Sequence, residues 1–418
     1  MIEKTDCLFN ETAETIRLES LCSDFMLDKD YNDSLCKIQN KLSLAGSTIL
    51  VCCTREYIPE PDKAQKFVDT VKLALNSVKN KKIYIVLDKS WENGGLFNSC
   101  SAEDTLYIDY FLGLTYFNNK DLTVAPWNKN SDKFLFLTGR WHRLNRTTLL
   151  YYLWDRGLLE NCEWSWGLTD DYGQKLCPEL TQEQYRFFIK SVTRSMDSWG
   201  IGGSQHYTST IYSDKLFELV SETKFEQDHM VPAFVTEKTW KTIANGLPFI
   251  IAGPPGILES LENLGFDTFD DLLLVKNYDN PSKADYLSGL ENWMCMSADQ
   301  WKEFYSNIRD VRWPDNVKLP DTIDIKTFRQ SYPAIFQEML GHKTPPQDFP
   351  DKMKRLNAII ANVDHWLENL PKYADKIADR VLRNQQQFNY QGKKVLDQLS
   401  KWTDSHNLSS SVKIERNL

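Results

Sequence analysis

The stretches Ile49-Leu50-Val51-Cys52-Cys53 and Ile83-Tyr84-Ile85-Val86-Leu87 decide the fold of the N-terminal third of the chain. Each is a short, continuous apolar run of the kind that forms a strand buried on both faces. Between them, residues 62–78 carry apolar side chains at helical spacing. A helix that joins two fully buried strands is typical of a βαβ unit, so this stretch predicts a parallel sheet.

The same alternation begins again after a polar, turn-rich segment at residues 125–132, which we interpret as a linker. The pattern predicts strands at 134–137, 216–220 and 248–252 and helices at 146–156, 181–192, 236–245 and 257–264. From residue 350 onward the spacing is helical, with a break predicted at Pro371. We therefore expect an N-terminal α/β domain at 1–128, a second α/β domain at 129–345 and a helical extension at 346–418.

The composition sets limits on function. The 418 residues carry a formal net charge of -9, so the whole molecule has no field that would hold nucleic acid or an anionic membrane. The nine cysteines include no C-x-x-C pair and the six histidines show no metal-binding spacing, so we predict neither a disulfide framework nor a metal site. No run approaches the roughly 20 apolar residues of a membrane span, which predicts a soluble, cytoplasmic protein.

One predicted helix start carries residues suited to an anion. Val235 is followed by Thr236, a good N-cap, and by Glu237 and Lys238 in the first turn. The N–H groups and the dipole of a helix start favour negative charge, and Lys238 adds a mobile cation suited to a pyrophosphate. Glu237 is able to accept hydrogen bonds from ribose hydroxyls. An ordinary capped surface helix is the alternative, and these residues alone leave both interpretations open.

The surrounding sequence resembles a known donor site. Phe234-Val235-Thr236-Glu237-Lys238-Thr239-Trp240 is followed by Ile243-Ala244-Asn245-Gly246-Leu247-Pro248-Phe249-Ile250 and then by Gly253. This pattern is similar to the donor-binding segment of the α1,3-fucosyltransferase family, in which the Glu and the Lys contact the nucleotide of the sugar donor. An even closer resemblance is to phage-encoded glycosyltransferase-like proteins, whose segment continues as it does here at Pro255-Gly256, Leu264-Gly265-Phe266 and Thr268-Phe269-Asp270-Asp271.

A second segment fits the same resemblance. Lys133-Phe134-Leu135-Phe136-Leu137 resembles the first strand of the donor domain in both groups. Arg146 lies seven residues before Leu153, as an Arg lies before a Leu in the fucosyltransferase pattern. The resemblance therefore implies that Arg146 is a second pyrophosphate ligand, a role that suits a guanidinium fork. The same basic loop supplies two further candidates, Arg140 and Arg143.

The resemblance covers about a third of the chain, and it implies a fold of two Rossmann-like domains of the glycosyltransferase B type, closed by C-terminal helices. In that fold the donor lies in the C-terminal domain and the acceptor mainly on the N-terminal one. Fucosyltransferases of this type invert the anomeric centre, which requires one general base. Glu92 is our first candidate and Asp88 the second, because both follow the strand at 83–87. A polar turn is the alternative interpretation of that segment.

The predicted function is transfer of a sugar from a nucleotide-diphosphate sugar to an acceptor hydroxyl, without a required metal or other cofactor. The acceptor is either a glycan or a hydroxymethylated base in phage DNA, and a phage-encoded protein would act in the host cytoplasm. DNA as acceptor requires a basic groove, because phosphate contacts dominate affinity. The alternative function is a non-catalytic nucleotide- or sugar-binding or interaction protein built on the same fold.

Overall fold

A computed structural model gives the architecture of the chain. The part of the chain that it describes comprises residues 8–10, 15–18, 21–22, 24, 30–54, 61–78, 80–92, 97, 102–121, 123–124, 126–138, 146, 149–150, 152–153, 156–166, 211–223, 225, 233–280, 284, 349–408 and 411. Within these residues, no helix combines the length and the apolar character that crossing a membrane requires.

The N-terminal part contains a four-stranded parallel sheet. Its strands lie side by side in chain order: β1 (Thr15–Arg17), β2 (Thr48–Cys53), β3 (Lys82–Asp88) and β4 (Asp104–Ile108). The helices of this part are α1 (Asn32–Leu44), α2 (Pro61–Asn76) and α3 (Tyr110–Asn119). The predicted βαβ unit of β2, α2 and β3 is confirmed, and both strands are buried beyond their first residue, as their apolar composition requires.

The two elements that follow this unit in the chain were not predicted from the sequence. β4 has only five residues and its burial alternates weakly, so it has no long apolar run. Nine of the ten residues of α3 are buried, which means that its sequence lacks the polar face by which an amphipathic helix is recognised. Asp109 is the one residue between these two elements.

The second part contains another four-stranded parallel sheet. Its strands are β5 (Phe134–Thr138), β6 (Cys162–Trp166), β7 (Glu218–Ser221) and β8 (Phe249–Ala252), arranged in the order β6-β5-β7-β8. After β5, the chain adds β6 on one side of that strand. It then adds β7 and β8 on the other side. The gap between the carboxyl ends of β5 and β7 is a topological switch point, where α/β sheets of this kind bind ligands.

Short helices flank β8 as the sequence predicts. The helix α4 (Glu237–Ala244) precedes this strand and α5 (Ile257–Asn263) follows it. Gly246 and Gly265 end the two helices with φ angles of 68° and 85°, the left-handed region that favours glycine. The helix predicted at 146–156 is helical at its described positions through 153, and the one predicted at 181–192 lies outside the described residues.

The C-terminal helices join the two parts. They are α6 (Phe349–Asn369) and α7 (Ala374–Ser405), separated by a 3-10 turn that contains Pro371, so the predicted break is confirmed. On the first part, the indole of Trp402 donates a hydrogen bond to Asp104 over 2.7 Å. On the second part, the guanidinium of Arg380 lies 2.5 Å from Asp267. The protein is therefore a mixed α/β structure with two parallel sheets, and one continuous hydrophobic cluster runs through both parts and the C-terminal helices.

Candidate functional site

The start of α4 is capped as the sequence predicts. Thr236 has extended backbone angles, with φ -97° and ψ 179°, and its Oγ1 accepts a hydrogen bond from the backbone N–H of Lys238 at 3.5 Å. Thr236 itself is 1% exposed, so this helix start is buried in the protein. The first turn of α4 is consequently a fixed arrangement of N–H donors.

Glu222, which directly follows β7, holds this helix start in place. The carboxylate is fully buried and accepts hydrogen bonds from the backbone N–H of Thr236 at 3.2 Å and from its hydroxyl at 2.5 Å. The Thr239 hydroxyl donates to the same carboxylate at 2.6 Å. Glu222 was not predicted as a site residue, although a carboxylate at the carboxyl end of a predicted strand was a visible signal.

Lys238 bends back over the start of α4. Its Nζ lies 2.9 Å from the hydroxyl of Thr223, 3.3 Å from that of Thr236 and 2.9 Å from Oε1 of Glu237. The Lys238 side chain is 25% exposed and that of Glu237 is 13% exposed. The ammonium group is therefore held at the carboxyl end of β7 while keeping access to solvent.

Arg146 reaches the same end of β7 from the other side. The side chain is 2% exposed, and its Nε donates to the Ser221 hydroxyl at 3.3 Å. Its Nη2 donates to the carbonyl oxygens of Ser221 and Glu222 at 3.3 and 3.0 Å. Because Arg146 follows β5 and Ser221 ends β7, this contact spans the switch point of the second sheet. Arg146 and Lys238, both predicted donor ligands, thus converge on residues 221–223.

A third cation lies at this edge of the sheet and was not predicted. Arg355 of α6 is 2% exposed and donates to the carbonyl oxygens of Phe225, at 2.9 Å, and Gly253. Its guanidinium carbon lies 4.2 Å from the centre of the Phe225 ring. Since Gly253 follows β8, Arg355 places a third cation beside the end of β8.

A buried carboxyl group lies beneath α4. Glu218, the first residue of β7, is 3% exposed and accepts a hydrogen bond from the Thr242 hydroxyl. Burial raises the pKa of Glu218 to about 8, and the nearby charge of Glu222 adds to the shift, whereas the Thr242 hydrogen bond opposes it. Burial also raises the pKa of the neighbouring Tyr212 well above its ordinary value, so its phenol stays neutral.

The first sheet supplies two carboxylates at its own carboxyl edge. Asp88 ends β3 and accepts hydrogen bonds from the backbone N–H of Ser90 at 3.0 Å, from the Ser90 hydroxyl at 2.7 Å and from the backbone N–H of Tyr110 at 3.2 Å. Burial raises the pKa of Asp88 to about 7, although these hydrogen bonds pull it in the opposite direction. Asp88 therefore ties the end of β3 to the start of α3.

Asp109 precedes α3 and was not predicted as a site residue. Its side chain is 24% exposed and lies 3.7 Å from Nζ of Lys89. Burial raises the pKa of Asp109, Lys89 lowers it, and repulsion from Glu92 raises it further. Glu92 itself, our first candidate from the sequence, is exposed. The signal available for Asp109 was a carboxylate between a strand and a helix, but neither of those elements was recognised.

A cavity of about 430 Å³ lies between the two parts. One side is formed by residues 88–90 and Asp109, and the other by residues around the ends of α4 and α5, which include Val235 and Trp240. Its volume lies within the roughly 300–1,000 Å³ of small-molecule sites. The described part of the lining contains Asp88, Asp109 and Val235, but it includes neither Lys238 nor Arg146.

Two predicted donor ligands, Arg140 and Arg143, lie outside the described residues. Within the part of the chain that the structure describes, no group of three or more His, Cys, Asp or Glu side chains is arranged to hold a metal ion. Comparison of the chain with protein-family models, with curated proteins and with solved structures gave no significant match. The resemblance to the fucosyltransferase donor segment thus stays a prediction.

Proposed function

We propose that this protein is a glycosyltransferase of the B type, which moves a sugar from a nucleotide-diphosphate sugar to an acceptor hydroxyl. The observation that carries the proposal is the convergence of Arg146 and Lys238 on residues 221–223. They meet at the switch point of the second sheet, where parallel α/β sheets bind ligands. A diphosphate suits this place because its negative charge would pair with the two cations.

The two cations also match the chemistry of the leaving group. As the bond between the anomeric carbon and the diphosphate breaks, its electron pair stays on the diphosphate oxygen, and negative charge develops there. Lys238, which contacts the hydroxyls of Thr223 and Thr236 and forms an ion pair with Glu237, would turn from these partners towards that oxygen. Preorganised donors of this kind stabilise the developing charge without a metal ion.

Asp109 is the general base of the proposed reaction. It lines the cavity, and its carboxylate is engaged more loosely than that of Asp88, which accepts three hydrogen bonds. The acceptor oxygen attacks the anomeric carbon, its proton passes to Asp109, and the configuration at the anomeric carbon inverts. Asp88 acts as a positioning residue, because it fixes the backbone N–H of Tyr110 next to Asp109.

The donor site is tested by a thermal-shift panel of UDP-, GDP- and dTDP-sugars, with CMP-sugars as monophosphate controls. A diphosphate sugar at 100 times its dissociation constant should stabilise the protein by about 2.7 kcal/mol. Lys238→Ala should weaken binding roughly 10- to 150-fold, as expected for loss of a charge-assisted hydrogen bond of about 1.5–3 kcal/mol. Lys376→Ala, at an exposed lysine of α7, is the matched control. Unchanged affinity in Lys238→Ala would refute the donor site.

Turnover is tested separately with Asp109→Asn. The variant should retain the nucleotide-induced thermal shift and lose about 10²- to 10⁴-fold in transfer rate, the usual contribution of a general base. Asp379→Asn, at an exposed position of α7, controls for the change in charge. A wild-type protein that binds the donor but neither transfers nor hydrolyses its sugar would instead be a non-catalytic binding protein.

A further inference from the structure

The cavity between the two sheets has a charge pattern of its own. The described residues that line it include three carboxyl groups and one ammonium group. Asp88 and Asp109 belong to the first sheet, Glu259 lies on α5 at the opposite side, and the ammonium group is that of Lys89. The carboxyl groups therefore outnumber the ammonium group where the acceptor of the proposed reaction would enter.

The lining is also poorly suited to stacking a nucleobase. Pockets that receive a base from DNA hold it between aromatic or apolar side chains. Trp240 is the aromatic residue among the described lining residues, but it is 2% exposed and packs against Phe266 with ring centres 5.4 Å apart. Ser260 and Asn263 supply neutral polar groups, which suit hydroxyls.

An anion in this cavity would meet carboxylates from two sides. Like charges repel more strongly in a partly enclosed cavity than in bulk water, and such repulsion excludes wrong ligands. A DNA strand would bring phosphates next to the base that it presents, whereas proteins that hold DNA neutralise those phosphates with Lys and Arg. A neutral or amine-bearing polyol meets no such repulsion.

We propose that this cavity is an acceptor site that selects neutral or amine-bearing hydroxyl compounds and excludes anionic ones, DNA included, with Glu259 as a specificity-determining residue. The role of the cavity as an acceptor site rests on the proposed function. The charge selection, in contrast, is a property of the cavity itself. Because Glu259 is exposed on α5, its side chain is open to substitution without disturbing the core.

Binding of three matched sugars to the full-length protein tests the selection. Methyl glucoside, methyl glucosaminide and methyl glucuronide differ mainly in charge, and ligand-observed NMR titrations at low salt give their dissociation constants. We expect the glucuronide to bind about fivefold or more weakly than the other two, with the difference shrinking at high salt. Glu259→Gln should reduce the discrimination about two- to fivefold, the range for one exposed charge. Glu368→Gln, at an exposed position of α6, should leave it unchanged.

The outcomes separate this inference from the proposed function. Equal binding of the glucuronide, no binding of any of the three sugars, or displacement of the glucoside by an oligonucleotide with hydroxymethylcytosine would overturn the acceptor inference. The nucleotide-sugar thermal shift is measured on the same protein and does not depend on these sugars. Its loss would refute the donor site, even if the cavity discriminated by charge as expected.

Discussion

The buried carboxyl group of Glu218 should make the stability of this protein sensitive to pH. The group lies beneath α4, next to the buried Glu222, and its pKa is raised from 4.5 to about 8. A raised pKa means that the folded state binds the proton more tightly than the unfolded chain does. The resulting stabilisation is complete below pH 4.5 and is lost as the pH rises through 8.

The size of the effect follows from the shift. Each pKa unit corresponds to about 1.36 kcal/mol, so the span from 4.5 to about 8 amounts to roughly 5 kcal/mol of unfolding free energy. Glu218→Gln removes the titration but keeps an oxygen that accepts the hydrogen bond from the Thr242 hydroxyl. We therefore expect the variant and the wild type to be about equally stable at pH 5, and the variant to be more stable at pH 8.5 by several kcal/mol.

Urea denaturation of both proteins at pH 5, 7 and 8.5 measures this difference. Contributions from titrating groups that are distant from Glu218 cancel, because they are common to the two proteins. Glu368→Gln makes the same chemical change at an exposed position of α6 and should show no pH-dependent difference. A stability difference between Glu218→Gln and the wild type that stays constant from pH 5 to 8.5 would refute the reasoning.

Two further substitutions test the packing around the site. Glu222→Gln should destabilise the protein by about 1–3 kcal/mol and weaken nucleotide binding, because an NH₂ group would replace an oxygen that accepts hydrogen bonds at the start of α4. Urea denaturation measures the loss of stability, and the thermal-shift panel measures the loss of nucleotide binding. Gly392→Ala should cost about 1–3 kcal/mol, because the new Cβ would lie 2.4 Å from Cβ of Tyr116. A loss below 0.5 kcal/mol by urea denaturation would contradict that close approach. The matched controls are Glu368→Gln and Gln386→Ala, both at exposed positions.

Local sequence patterns were enough to predict many of the strands and helices. The strands β2 and β3 follow from continuous apolar runs, and the start of α4 follows from the capping chemistry of Thr236. These features depend on residues that are neighbours in the sequence, so periodicity and capping rules reach them. The two parallel sheets were predicted on the same basis.

The residues that were missed depend on contacts between distant parts of the chain. Glu222 accepts hydrogen bonds from residues 14 and 17 positions later in the chain. The Arg355 side chain donates a hydrogen bond to a carbonyl oxygen 130 positions earlier. Asp109 gains its position from α3, a helix without the amphipathic pattern that sequence analysis needs. The contacts of Arg355 and Asp109 leave no local pattern, whereas Asp88 and Glu222 each follow an apolar strand that the sequence predicts.

Packing between the two parts connects the proposed base to the proposed donor segment. Asp109 lies two residues before Phe111, and Phe234 lies two residues before Thr236. The rings of Phe111 and Phe234 meet edge to face with centres 5.7 Å apart, and both are buried. Functional groups held by packed elements keep their geometry better than groups on free loops. The aromatic contact therefore packs the start of α3 against the segment that precedes α4, which links the proposed base to the proposed donor segment.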